Sequence, residues 1–254
     1  MTGYGFPAGV ALVIGGSGGV GRAVSTLLAG AGCDVALTYR SNAQAAGDAL
    51  ADVRSAGRDG TIFQLDLSDR EGVSAVFAAA ARQWSRIHTV VFASGADISM
   101  AHFSQLDPDE WDRTIAGDLT GFFNVARAAL PYLRDSQGSI TAITSAAIAR
   151  HAQKDILSIA PKAAIEAVLR GIAREEGRFG VRANSVALGP IQTGLYHRLQ
   201  DRVPTGFMDA VIRNTALRRT GSAEEAARAA LFLASSAASY VTGQSLAVDG
   251  GYSV

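Results

Sequence analysis

Short apolar runs recur along the chain, and each is followed by a longer segment with apolar residues at helical spacing. Val10-Ala-Leu-Val-Ile14 is uninterrupted and stops at glycines. A run of that length with no polar face suits a strand covered on both sides in a parallel sheet. Val20 to Leu28 then reads as a helix, Asp34 to Thr38 as a second strand, and the alanine-rich Ala43 to Ser55 as a second helix. The alternation continues with a strand from Thr61 to Leu65, a helix opened by Asp69 and running to about Trp84, and a strand from His88 to Ala93. Asp107-Pro108 offers an N-cap with proline at the first helical position, and that helix is expected to run to Leu133. A fifth strand from Ser139 to Thr144, a long helix from Ile156 to Arg178 and a sixth strand from Val181 to Ala187 follow. Ser222-Ala-Glu-Glu225 is a capping box before a helix ending near Ser235, and Ser245 to Val248 is a last short strand. Strict β/α alternation predicts an α/β fold: one Rossmann-like, doubly wound parallel sheet of about seven strands, joined by right-handed crossovers. With no linker, repeat or low-complexity tract, residues 1–254 are expected to form a single domain.

Composition narrows the partners. The chain has 254 residues, 48% hydrophobic and 18% charged, enough for one large core. Lys+Arg and Asp+Glu are both 23, so no net field draws the chain to nucleic acid or an anionic membrane. Cys33 is the only cysteine, which excludes an intramolecular disulfide, and His88, His102 and His197 show no ligand spacing, so no metal site is expected. No stretch reaches the roughly 18 apolar residues of a membrane helix, and the N-terminus lacks a basic and apolar leader pattern. A cytoplasmic location is expected.

Gly15-Gly16-Ser17-Gly18-Gly19-Val20-Gly21 joins the first strand to the first helix. Glycines permit a tight turn, let backbone amides approach a pyrophosphate, and let helix and sheet pack closely. The helix start adds unpaired N–H groups and a positive dipole end. The second strand ends in Thr38-Tyr39-Arg40-Ser41-Asn42, without the carboxylate that would hold ribose hydroxyls and repel a 2′-phosphate. Arg40 can pair with a phosphate bidentately, and Ser41 and Asn42 can donate to it, so NADPH is expected in preference to NADH.

Further motifs fall in register with these: Asp66-Leu67, Ala93-Ser94-Gly95, Ser145, Lys162, Gly189-Pro190-Ile191-x-Thr193 and Val248-Asp249-Gly250-Gly251. From residue 8 to residue 252 the chain resembles the short-chain dehydrogenase/reductase family. The resemblance implies that Gly15, Ser17, Gly18, Gly19, Val20 and Gly21 face the pyrophosphate, and that Asp66, Leu67, Ala93, Ser94 and Gly95 lie beside the adenosine. It implies that Lys162 contacts the nicotinamide ribose, that Pro190, Ile191 and Thr193 cover the nicotinamide, and that residues 190–220 cover the substrate. It also implies a homo-oligomer, a dimer or tetramer, with the helices at Asp118 to Leu130 and after Lys162 forming the dimer face.

The catalytic positions depart from the family pattern. The tyrosine four residues before Lys162 is replaced by Ser158, and an asparagine that holds a water is replaced by Asp118. Ile14 stands in place of threonine and Ala93 in place of asparagine. Some relatives carry the tyrosine seven residues before the lysine; here that residue is Asp155. Asp118 with Lys162 and no tyrosine resembles the peroxisomal-type 2,4-dienoyl-CoA reductases. A serine hydroxyl is shorter and several pK units more basic than a phenol (pKa about 10), and cannot serve as the same general acid. Reducing a ketone leaves charge on one oxygen that needs a proton at once. Reducing a conjugated C=C bond spreads charge into a thioester enolate that fixed donors stabilise. Three readings stay open: C=C reduction of an enoyl or dienoyl thioester by Ser145, Ser158, Lys162 and Asp118; carbonyl reduction through water or another donor; and NADP binding with little redox activity. His151, Asp155 and Tyr196 are candidate proton donors, each with a bland alternative as a loop polar group or a packing residue.

Overall fold

The computed structural model describes residues 4–203 and 205–254, and for Leu195 its backbone alone. Residues 1–3 of the expected 1–254 domain, and Pro204 within the expected 190–220 cover, lie outside the described residues. Strands β1 (Val10–Ile14), β2 (Asp34–Tyr39), β3 (Gly60–Gln64), β4 (Ile87–Phe92), β5 (Ser139–Ser145), β6 (Arg182–Leu188) and β9 (Ser245–Val248) form one sheet in the order β3-β2-β1-β4-β5-β6-β9. Every pairing in it is parallel. The strand order reverses between β1 and β4, and doubly wound sheets bind ligands at such a switch point, outside the carboxyl ends of the strands.

β1 is buried along its whole length, so its alternating side chains feed two cores. Val10, Leu12 and Ile14 join the core under α3 (Arg70–Trp84), α5 (Gly121–Ser136) and α6 (Ile156–Glu176). Ala11 and Val13 join the core under α1 (Gly19–Gly30), α2 (Ala43–Ser55) and α9 (Ala223–Ala234). Each fully buried branched side chain contributes about 1.5–3 kcal/mol, which fixes the strand that ends at the glycine loop. The Phe92 and Phe122 rings meet edge to face at 5.2 Å and anchor the end of β4 to α5.

Most predicted elements form within a residue or two of the expected bounds, and Asp107 and Ser222 cap their helices as expected. The helix expected from Pro108 to Leu133 differs in its interior. It runs as α4 (Pro108–Thr114), a π-helical turn at Ile115–Thr120, then α5. π-turns arise from an extra residue in the helical ladder and are frequent at functional sites. A parallel two-stranded ribbon, β7 (Ile191–Gln192) with β8 (Gly221–Ser222), and helices α7 (Gly194–Gln200) and α8 (Phe207–Arg213) also lie beyond the expectation.

Candidate active site

The glycine loop leaves β1 through Gly15, whose φ of +76° is the left-handed conformation that favours glycine. A side chain at Gly21 would collide with the Gly15 carbonyl oxygen, so the first turn of α1 can sit directly on the loop only without one. No side chain caps this end of α1 and no acid occupies its first turn, so its N–H groups and positive dipole end face the loop unopposed. The expected threonine at position 14 is a buried isoleucine, but the loop still finds a hydroxyl. Thr38, buried on β2, accepts the Gly15 N–H at 3.0 Å. A methyl at Gly19 would lie 2.7 Å from Thr193 Cβ, which brings the Pro190–Thr193 segment against the same helix start.

A cavity of about 110 Å³ continues from this loop. Its wall includes Gly15, Arg40, Asp66, Leu67, Ser94, Gly95 and Asp118, all expected from the sequence to be near a cofactor or the chemistry. Arg40 is exposed and forms no ion pair among the described residues. Ser41 is exposed beside it. The Asn42 side chain is engaged in capping α2, accepting the Ala45 N–H at 2.9 Å, which leaves only its amide donor for a phosphate. The Ser68 N–H and hydroxyl hold the Asp66 carboxyl below its ordinary range. Ala93 keeps the loop in place through its backbone N–H, which donates to Ile14 O at 2.9 Å. The uncapped helix start and the glycine-rich cradle together fit the pyrophosphate of a dinucleotide.

The catalytic positions come from three neighbouring elements. Ser145 ends β5, where its Oγ accepts the Ala147 N–H at 3.2 Å and its own proton stays free to donate. Ser158 and Lys162 are one turn apart on α6, and Lys162 Nζ donates to Ser158 Oγ at 2.8 Å. Asp118 sits in the π-turn, which packs against α6. It is only 5% exposed and accepts the Ala96 N–H from the loop after β4 at 3.0 Å. Burial raises its pKa, against the opposing pull of the Lys162 charge and the Ala96 bond. Asp155, at the start of α6, feels the same ammonium; burial outweighs that charge and pushes its carboxyl up to about 6.

The other candidate donors are placed less favourably. His151 is exposed. Tyr196 is buried, with its ring edge-on to His197 at 5.7 Å, as a packing residue would be. Pro190 and Ile191 border a separate cleft of about 440 Å³ against the C-terminal turn, and Ser145, Ser158 and Lys162 are absent from its wall. A salt-bridge cluster missed in the sequence joins α7 to the loop after β4: Arg202 grips Asp97 through two nitrogens at 2.8 and 2.9 Å, and Arg198 approaches it at 3.4 Å. No described helix is long and apolar enough to cross a membrane, and no group of three or more His, Cys, Asp or Glu among the described residues could hold a metal ion.

A family model described as enoyl-(acyl carrier protein) reductase matches residues 15–253. The 1-cyclohexenylcarbonyl-CoA reductase of Streptomyces collinus is 33% identical over 248 residues, covering 96% of this chain and 87% of that protein. The 3-oxoacyl-acyl-carrier-protein reductase FabG of Chlamydia trachomatis is 32% identical over 244 residues, covering 95% and 96%. Among solved structures, levodione reductase superposes with a TM-score of 0.92 at 26% identity, covering 98% of this chain and 99% of that one.

Proposed function

The chain belongs to the short-chain dehydrogenase/reductase family, and from that premise we propose that it is an NADPH-dependent reductase that saturates a conjugated C=C bond in an enoyl or dienoyl thioester. A nicotinamide cofactor is common to the family; the preference for NADPH rests on Arg40 and Ser41. The reading takes Gly15 to Gly21 as the pyrophosphate cradle, Asp66, Leu67 and Ala93 to Gly95 as the adenosine wall, and Pro190, Ile191 and Thr193 as the nicotinamide cover. Residues 190–220 cover a small-molecule substrate. A cytoplasmic homo-oligomer is part of the same reading, with Phe123, half exposed on α5, on the face left for a partner copy.

The observation that carries the choice of C=C over C=O is the Lys162–Ser158 hydrogen bond on a helix face with no phenol. The bound cofactor supplies hydride to the far end of the conjugated system. The negative charge then spreads toward the thioester oxygen. The Lys162 ammonium and the Ser145 and Ser158 hydroxyls can stabilise that charge without themselves losing a proton to it. A ketone substrate would concentrate the charge on one oxygen and need, at the phenol's own position beside Lys162, an acid stronger than the Ser158 found there. Asp118, tied to Ala96, lines the adenosine-side cavity and keeps a carboxyl within reach of the Lys162 charge. Two relatives support the two competing readings, since one is named as a reductase of an unsaturated acyl-CoA and the other of a 3-oxoacyl thioester.

The test is NADPH oxidation by the purified protein on matched pairs of enoyl-, dienoyl- and 3-oxoacyl-CoA thioesters. The expected outcome is turnover of an unsaturated member with kcat/KM at least about tenfold above its 3-oxoacyl partner. Preference for the 3-oxoacyl member would favour carbonyl reduction. NADPH binding with no turnover on any pair would favour a binding protein.

A further inference from the structure

We propose that Asp155 is the acid that protonates the α carbon of the substrate in this site, which has no phenol; the proposal rests on the reading of the site as a reductase. Three features of its placement argue for it. Asp155, Ser158 and Lys162 stand at i, i+3 and i+7 along the start of α6, a spacing that puts them on one helical face. Asp155 is the N-cap of that helix, yet its side chain makes no capping bond. The backbone alone does that work, with Asp155 O accepting from Ser158 N and Ile159 N, both at 3.0 Å. An aspartate at an N-cap ordinarily takes the N–H of the second or third helical residue. Among the described residues the half-buried carboxyl forms no side-chain hydrogen bond or ion pair, and it feels the Lys162 charge.

Its surroundings set the proton affinity such a task needs. Among the described residues Lys162 is the charge that acts against the effect of burial on this carboxyl, and burial prevails, pushing it up to about 6. Further ionisable groups lie on α4 and the π-turn, which pack against α6, and on the loop before it. Asp118 on the π-turn is held by Ala96, Glu110 on α4 by both the N–H and the hydroxyl of Ser99, and His151 and Lys154 are exposed. An acid titrating about one unit below neutrality is still protonated in roughly a tenth of molecules at pH 7, and donates readily. Asp118 is the less suitable donor, being deeper and tied to a backbone N–H.

The step balances simply. With hydride from a reduced nicotinamide nucleotide, which would be left oxidised, the β carbon of the enoyl thioester would gain a C–H bond and the C=C electron pair would move onto the α carbon and the thioester oxygen. The Asp155 O–H bond breaks as the α-carbon C–H bond forms. Asp155 is left as a carboxylate, stabilised by Lys162, and is reprotonated from solvent.

The test joins a titration of the free protein to kinetics. In protein carrying carboxyl-labelled aspartate, the carbon resonance lost in Asp155→Asn should titrate near pH 6 and move to higher pH in Lys162→Met. With NADPH and whichever thioester the native enzyme reduces, Asp155→Asn should lower kcat by about 100-fold or more, with NADPH affinity unchanged. Asp155→Glu should recover part of the loss. The high-pH fall in native kcat should vanish in Asp155→Asn. A kcat for Asp155→Asn within about threefold of native, or a Lys162→Met protein in which the resonance does not move, overturns the proposal. A native enzyme that reduces only 3-oxoacyl thioesters overturns the C=C reading, while the same variants still decide the role of Asp155 on that substrate. A native enzyme that reduces nothing overturns both.

Discussion

Arg40→Ala should separate the two nicotinamide cofactors. Arg40 ends β2 in the wall of the adenosine-side cavity, exposed and without an ion-pair partner among the described residues. Its whole contribution is therefore available to a ligand. A hydrogen bond to a charged group contributes about 1.5–3 kcal/mol. Solvent screening at an exposed position argues for the lower part of that range. About 1.5–2 kcal/mol corresponds to a loss of roughly 10- to 30-fold in NADPH affinity. NADH lacks the 2′-phosphate, so its affinity should change by less than about twofold. Isothermal titration with both cofactors checks this. Repeating it near 1 M salt, where the Debye length falls to about 3 Å, should shrink the native preference for NADPH. Equal loss for NADPH and NADH would refute the assignment of Arg40, and a salt-independent preference would refute its electrostatic basis.

Other predictions test separate parts of the account. Thr38→Val keeps the shape of the side chain but leaves the Gly15 N–H without its 3.0 Å acceptor. An unsatisfied buried donor costs about 1–3 kcal/mol, readable as a lower urea midpoint with m unchanged, together with weaker NADPH binding. Asp155→Asn should be more stable than the native protein above pH 6. The folded carboxyl titrates at about 6, above its ordinary 3.8. A raised carboxyl favours the fold when protonated, and that contribution is lost as pH rises between those values. The amide cannot ionise, so the variant should gain up to about 3 kcal/mol at pH 7.5 and nothing at pH 3; urea unfolding at both pH values reads the difference. Arg202→Ala removes the two-nitrogen grip on Asp97 that ties the turn after α7 to the loop after β4. Limited proteolysis should then cut within 190–220 several-fold faster.

The sheet was legible because its strands are apolar runs buried on both faces, bounded by glycine and helix caps. β1, α2 and β9 have the bounds their patterns predict. The π-turn was not legible, since one extra residue in a continuous helix scarcely disturbs the apolar spacing from Pro108 to Ser136. It determines where Asp118 sits, and the Gly117-Asp118 sequence carries no signal for it. Helices α7 and α8, seven residues each, are too short for periodicity to show, and a two-residue strand such as β7 has no pattern at all. Ser158 and Lys162 were legible as a pair from their spacing. The free carboxyl of Asp155 was not, because an aspartate before a helix normally signals a cap, and only the structure shows the backbone doing that work instead.

The central claim is that this site reduces carbon, with Lys162 in place and no phenol. Deuteride tracing tests it most directly. The enzyme is given NADPH deuterated at the transferred position and an enoyl thioester, and the product is analysed by mass spectrometry and NMR, in native protein and in Lys162→Met. The account predicts a saturated thioester with deuterium on the β carbon and a solvent proton on the α carbon, and loss of that product in Lys162→Met. Deuterium found instead on a carbinol carbon, or full product formation by Lys162→Met, would contradict it.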